Sequence, residues 1–292
     1  MANITDWTLN GSGNQPIFGN THFPQGDPVG VLVLSHGFKG YKDYGFFPQL
    51  AEAGAQSNLI VHRYNFSHSG MTNNIETFER PDLFEKDTWD RQVSDLATVL
   101  SAVDTGELKG SGLPIVPFGH SRGGITTLLT VARLQGAPAN DLATRIAGVV
   151  TAASPDEACG LTEVQIKQIK AEGRLLSPSG RTGQDLYVGL EWYSEITHSP
   201  ASFDPVKAAA QITSPLCIIH GNDDETIPPI AAANLAQAAG DQAVRIIIPD
   251  ANHVFNAPNP LPLDQEPPVH THAFMDHVIN FAYNKCHDHD ED

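Results

Sequence analysis

A chain of 292 residues with 40% hydrophobic side chains can bury one large α/β core or two modest ones, and no apolar run approaches the roughly 18 residues of a membrane span. Its 34 acidic against 17 basic side chains, a formal charge of -17, oppose binding to phosphate backbones or anionic lipid, so nucleic acid is not an expected partner. Cys159, Cys217 and Cys286 are odd in number, far apart and match no C-x-x-C pattern, which argues for reduced thiols and against a disulfide framework or zinc site. The start, Met1 to Gly13, has no basic segment leading into an apolar one, so the expected location is cytoplasmic.

In chain order, Asn10-Gly11-Ser12-Gly13-Asn14 separates Trp7-Thr8-Leu9 from Pro16-Ile17-Phe18 and predicts an antiparallel hairpin at a sheet edge. Short β-rich runs follow at 30–35, 59–61, 115–118, 146–150, 216–219 and 244–248. Helix-length segments lie among them at 47–55, 88–103, 124–134, 230–239 and 270–285. Buried strands alternating with helices predict a mostly parallel sheet covered on both faces. From Ala153 to Pro215 the connection is too long for a simple crossover. The surplus, 154–206, reads as a small cap or lid insertion, with a helix over Thr162 to Ala171 stopped at Gly173. The core is then 1–153 with 207–285, 286–292 is an acidic His/Asp tail, and its end from 287 to 292 is expected to fray.

Gly119-His120-Ser121-Arg122-Gly123 is G-x-S-x-G between a strand run and a helix. A serine standing proud of a sheet on a sharp turn needs small neighbours two before and two after. Free serine is a poor nucleophile at neutral pH, so it needs a base, and the base an orienting carboxylate. Both candidates lie downstream at strand ends: Asp224 in His220-Gly221-Asn222-Asp223-Asp224, and His253 in Pro249-Asp250-Ala251-Asn252-His253. Asp223 competes with Asp224, because aspartate in a strand-end turn often only bonds its own backbone. Oxyanion donors are expected from the amides of Phe38, in the loop after the 30–35 run, and Arg122.

These residues resemble the α/β-hydrolase superfamily over nearly the whole chain, and within it the dienelactone-hydrolase-like, cinnamoyl (feruloyl) esterase and serine aminopeptidase-like branch. The resemblance rests on His36-Gly37-Phe38 with Gly40, the loop Tyr64 to Gly70, the elbow at Ser121, and Cys217 to Asp224. It implies an α/β-hydrolase fold and places the acid of HGxxDxxV on Asp224, with Ile227 in the V place. Arg122 departs from the Gln or Met more usual after the serine, and its side chain could enter the helix layer or the substrate mouth. The match over 154–206 is too loose to transfer substrate contacts.

The expectation is a serine hydrolase acting on a small-molecule carboxylic ester through an acyl-enzyme, without cofactor or metal. Thioesters and short-peptide amides are alternatives on the same triad, and a catalytically silent ligand-binding scaffold is the non-enzymatic one. His36, His120 and His220 read as structural, and the histidines at 270, 272, 287 and 289 as solvated. Tyr41, Tyr44, Phe46, Phe47, Trp192 and Tyr193 could line a pocket or pack a core. Lys39, Lys42 and Asp43 read as solvated loop charges.

Overall fold

The computed structural model describes residues 2–137 and 141–289. The chain opens with the antiparallel pair β1 (Asn3–Asn10) and β2 (Pro16–Phe23), joined through a 3-10 turn over Ser12–Asn14. There follow β3 (Gly30–Ser35), α1 (Phe47–Gln56), β4 (Leu59–Asn65), the short α2 (Pro81–Glu85), α3 (Trp89–Thr105), β5 (Ile115–His120), α4 (Arg122–Gly136), one turn as α5 (Asp141–Thr144) and β6 (Val149–Ala152). The long connection holds α6 (Glu163–Glu172), β7 (Arg174–Leu176), β8 (Tyr187–Gly189), α7 (Leu190–His198) and α8 (Pro205–Gln211). The chain then completes β9 (Leu216–Gly221), α9 (Ile230–Ala239), β10 (Ala243–Ile248) and α10 (Val269–His289).

Eight strands form one sheet in the order β1-β2-β4-β3-β5-β6-β9-β10. From β4 to β10 every pairing is parallel; β1 and β2 are the antiparallel members. Every residue of β3, β4, β5, β6 and β9 is buried, which is why these segments read as near-continuous apolar runs rather than alternating ones. Phe47, Leu50, Phe274 and Val278 bring α1 and α10 onto one face. Leu96, Val99, Leu128 and Leu235 bring α3, α4 and α9 onto the other. The expected α/β class with an N-terminal hairpin is the observed one.

Local signals explain the helix limits. Thr88 caps α3 by accepting from the Arg91 amide, and Gly106, at φ 83°, ends it in the left-handed region. α6 has a reciprocal capping box between Thr162 and Gln165 and stops at Gly173, φ 77°. Two expectations need correction. The 146–150 run enters the sheet late: Ile146 makes only an isolated bridge to Ile115, and β6 proper starts at Val149. The expected frayed end at 287–292 begins instead as the last turn of α10, which continues to His289; 290–292 lie outside the described residues.

The 154–206 stretch was legible as one helix, yet it also carries the small antiparallel sheet β7–β8 and α7. It shares the main hydrophobic core: Ile169, Leu175, Trp192, Tyr193 and Ile196 pack in the same cluster as α3 and α4. Among the described residues no helix is long and apolar enough to cross a membrane. Because Ile169 is fully buried in that shared cluster, Ile169→Ala should cost about 2–4 kcal/mol of global stability. Urea unfolding followed by two probes should show a single transition at a lower midpoint; a separate early transition would mean that the insertion unfolds by itself.

Candidate active site

β3 lies between β4 and β5, so the chain leaves β3 in one direction and returns to its other side. Such a switch point opens a crevice at the strands' carboxyl ends, where open α/β sheets bind ligands. Ser35 pairs with Gly119 across it, so the loop after β3 and the β5–α4 junction face each other. Ser121 sits on that junction at φ 54°, ψ -123°, a strained conformation for a residue with a side chain. A Cβ on Gly119 would overlap the Gly123 carbonyl, and one on Gly123 would lie 2.5 Å from the carbonyls of Ser35 and His36. The glycines are there because strand and helix approach too closely for anything larger.

His253 spans the crevice: Nε2 lies 2.9 Å from Ser121 Oγ, and Nδ1 lies 2.8 Å from Asp224 Oδ2. The other Asp224 oxygen accepts from the amides of Thr226 and Ile227, both at 2.9 Å. Burial pushes this carboxyl up, but hydrogen bonds from His220, His253 and the Ile227 amide outweigh it and hold the group well below the usual aspartate range. Asp224 therefore stays ionised beside the imidazole, whose Nδ1–H it fixes, leaving Nε2 free to accept the serine proton. Asp223 is exposed, and among the described residues the carboxylate hydrogen-bonded to His253 is that of Asp224.

Sequence reasoning missed the extent of His220's involvement. Its Nε2 lies 2.9 Å from the Ile227 carbonyl and 3.1 Å from Asp224 Oδ2, so it braces the acid loop and the carboxylate together. The available signal was the i, i+4 spacing from 220 to 224 directly after a strand. His120 contacts the His253 carbonyl at 2.8 Å, and His36 bonds the Gly37 carbonyl at 2.9 Å and receives the Phe66 amide at 3.3 Å. Burial lowers His120 to about 3 and His36 to about 4, so both rings are neutral braces at neutral pH.

The amides of Phe38 and Arg122 donate no hydrogen bond within the protein among the described residues. A Cβ on Gly37 would lie 3.4 Å from Ser121 Oγ, which puts the Phe38 peptide beside the serine, while Arg122 opens α4 immediately after it. Two free donors and a helix N-terminus thus flank Ser121, an arrangement suited to developing negative charge.

The sequence pattern of the Alpha/beta hydrolase family matches residues 32–265. The chain belongs to the alpha/beta hydrolase family. Among solved structures it is similar to Est1E from Butyrivibrio proteoclasticus with ferulic acid bound, at 17% identity and TM-score 0.71, covering 96% of this chain and 98% of that one. The esterase domain of a Rhodothermus marinus protein aligns at 16% identity and TM-score 0.63 over 97% and 98% of the two chains. A puromycin-hydrolyzing peptidase from Mycobacterium tuberculosis aligns at 13% identity and TM-score 0.64, over 98% of this chain but 39% of its own. No curated protein sequence matches this chain.

In this alpha/beta hydrolase two cavities meet at Ser121 with Phe38 between them. The smaller, about 220 Å³, is lined by Lys39, Tyr44, Phe47, Arg181 and His253; the larger, about 720 Å³, by Trp89, Arg122, Ile125, Trp192 and Ile227. Of the aromatic candidates, Tyr44, Phe47 and Trp192 line cavities, Phe47 and Trp192 from within the core, whereas Phe46 and Tyr193 belong to the core alone and Tyr41 to a small cluster with Phe78 and Phe84. The Arg122 guanidinium is buried at the larger cavity, 4.6 Å from the Trp89 ring centroid and 3.3 Å from Asp87. Burial lowers its pKa against the opposing charges of Asp87 and Glu195, and burial raises Asp87 to about 6.

Lys42 and Asp43 are not solvated charges. Lys42 is buried, Asp43 is held by Arg63 and by Lys42 at 2.7 Å, and they fix the loop after β3. Among the described residues no group of three or more His, Cys, Asp or Glu side chains could hold a metal ion. His270 meets Asn256 and His272 meets Asp276 instead.

The close approach at Gly123 and the open space around Gly136, at the other end of the same helix, predict opposite effects of one added methyl. Gly123→Ala should lose about 1–3 kcal/mol, whereas Gly136→Ala should gain about 0.4–1 kcal/mol. Urea midpoints of the two variants against wild type check the ranking, and equal effects would contradict the packing at the junction.

Proposed function

We propose that this chain is a serine hydrolase that cleaves a carboxylic ester through Ser121, His253 and Asp224, with the Phe38 and Arg122 amides as the oxyanion hole. What carries the reading is the continuous hydrogen-bond path from Ser121 Oγ through both ring nitrogens of His253 to a buried, ionised Asp224. His253 Nε2 takes the proton as Oγ attacks the ester carbonyl. The tetrahedral oxyanion is held by the two amides, donors worth about 2.7–4 kcal/mol each at such a site. The imidazolium, stabilised by Asp224, passes the proton to the leaving oxygen, and the alcohol departs from an acyl-serine. Water, deprotonated by His253, then attacks the acyl carbonyl, and the acid leaves as Ser121 regains its proton.

Residues 154–206 would serve as a cap over this chemistry. Their Leu175, Val188 and Trp192 line the larger cavity, whose apolar and aromatic wall suits an acyl group. The likeness to Est1E with ferulic acid bound makes hydroxycinnamoyl esters the first acyl class to assay beside p-nitrophenyl esters of rising chain length.

Ser121→Ala should abolish ester hydrolysis with the fold intact by circular dichroism. Asp224→Asn should lower kcat by about 10⁴-fold, because the amide favours the wrong imidazole tautomer, while Asp223→Asn should stay near wild type. Wild-type turnover by Ser121→Ala would defeat the mechanism, and the reverse ranking of the two aspartates would move the acid to Asp223.

A further inference from the structure

Resting on the serine-hydrolase reading, we propose that the leaving group of the substrate carries an anion, a carboxylate or a phosphate, held by Lys39 and Arg181 in the smaller cavity. The direction of the ester follows from His253. The ring must hand its proton to the leaving oxygen, so the leaving group lies on the side that His253 lines. His253 lines the smaller cavity; Arg122, Ile125 and Trp192 line the larger. The acyl chain takes the larger cavity, about 720 Å³, and the alcohol the smaller, about 220 Å³.

The charge of that smaller cavity runs against the rest of the molecule. In a chain with 34 acidic and 17 basic side chains, its lining includes Lys39 and Arg181 and no aspartate or glutamate. Lys39 is half-buried and Arg181 exposed, and each is tethered by a backbone carbonyl rather than a carboxylate. Lys39 Nζ donates to the Pro178 carbonyl at 2.7 Å, and Arg181 Nη1 donates to the Ile75 carbonyl at 2.5 Å. The Arg181 guanidinium also lies 4.7 Å from the Tyr41 ring centroid. Neither has a carboxylate within ion-pair distance among the described residues. Partial burial lowers the Lys39 ammonium from its usual range. Ser179, buried on the same wall, accepts from the Thr182 amide and keeps its hydroxyl proton to donate.

Residues that only tied the insertion to the core would do so as well with neutral side chains. Two cations without a carboxylate partner and a spare hydroxyl, lining the same cavity as the reacting serine, instead form a site for an anion, where charge-assisted hydrogen bonds have about twice the strength of neutral ones. The overall negative charge of the protein would repel such a substrate at long range, so local cations are what its leaving group requires.

The test compares butyryl esters of 3-hydroxybenzoate, 3-hydroxyphenyl phosphate and the neutral isostere 3-hydroxybenzamide, with acid release followed by titration. Wild type should favour the anionic leaving groups by about tenfold or more in kcat/KM, and the larger of the two ratios identifies carboxylate or phosphate. Lys39→Gln and Arg181→Gln should each cut that ratio severalfold, and the ratio should fall as salt rises from about 0.05 to about 0.5 M. A wild-type ratio near one overturns the proposal. So does an unchanged ratio in both variants, even with both rates lowered, since that is what mere tethers would give. Calorimetric binding of 3-hydroxybenzoate against 3-hydroxybenzamide to Ser121→Ala reads the anion preference with no turnover, which separates its failure from failure of the serine mechanism.

Discussion

The positive-φ turn at Ser121 is the constraint on which the site depends. A non-glycine residue at φ 54° costs roughly 1–3 kcal/mol, and it persists because its surroundings leave no alternative. Its amide donates to the Ala152 carbonyl at 2.8 Å, its carbonyl receives the Gly124 amide at 2.8 Å, and α4 packs against β5 and β6 through side chains that include Leu128. The start of α4 is packed so closely there that a Cβ on Gly123 would lie 2.5 Å from the carbonyls of Ser35 and His36. The strain points Oγ out of the sheet and turns the first amide of α4 toward the same point.

Around that point the protein sorts charge by burial. Asp224 is kept ionised by its donors despite burial, while Asp87, buried against Arg122 with fewer donors, is raised to about 6. The difference lies in hydrogen bonds: Asp224 receives two amides and two imidazole contacts, whereas one oxygen of Asp87 is buried without a partner. His36 and His120 are neutral for the opposite reason, since burial disfavours their cations. The crevice thus holds His253 between a fixed carboxylate and a hydroxyl, with neutral rings supporting the backbone on either side.

Much of this was legible in the sequence because it is encoded locally. The buried strands announce themselves as apolar runs, G-x-S-x-G fixes the turn, and strand-end loops locate Asp224 and His253. The start of β6 was read too early because Ile146 and Ala147 are apolar yet precede the break at Gly148. β7, β8 and α7 are short, and their stability comes from packing Leu175 and Trp192 into the shared core, which no local window carries. Long-range contacts were equally hidden: Lys42 and Asp43 look like loop charges until Arg63 from β4 is brought to them. Arg122 left two orientations open, and only the fold sets its side chain among Trp89, Trp192 and Asp87.

The central claim is that Ser121 is the activated nucleophile, and covalent labelling reads it without knowledge of the substrate. Folded protein treated with a fluorophosphonate probe, digested and analysed by mass spectrometry, should carry a single adduct on the peptide containing Ser121. An adduct on a different serine, or no labelling of a folded, monodisperse sample, would contradict it.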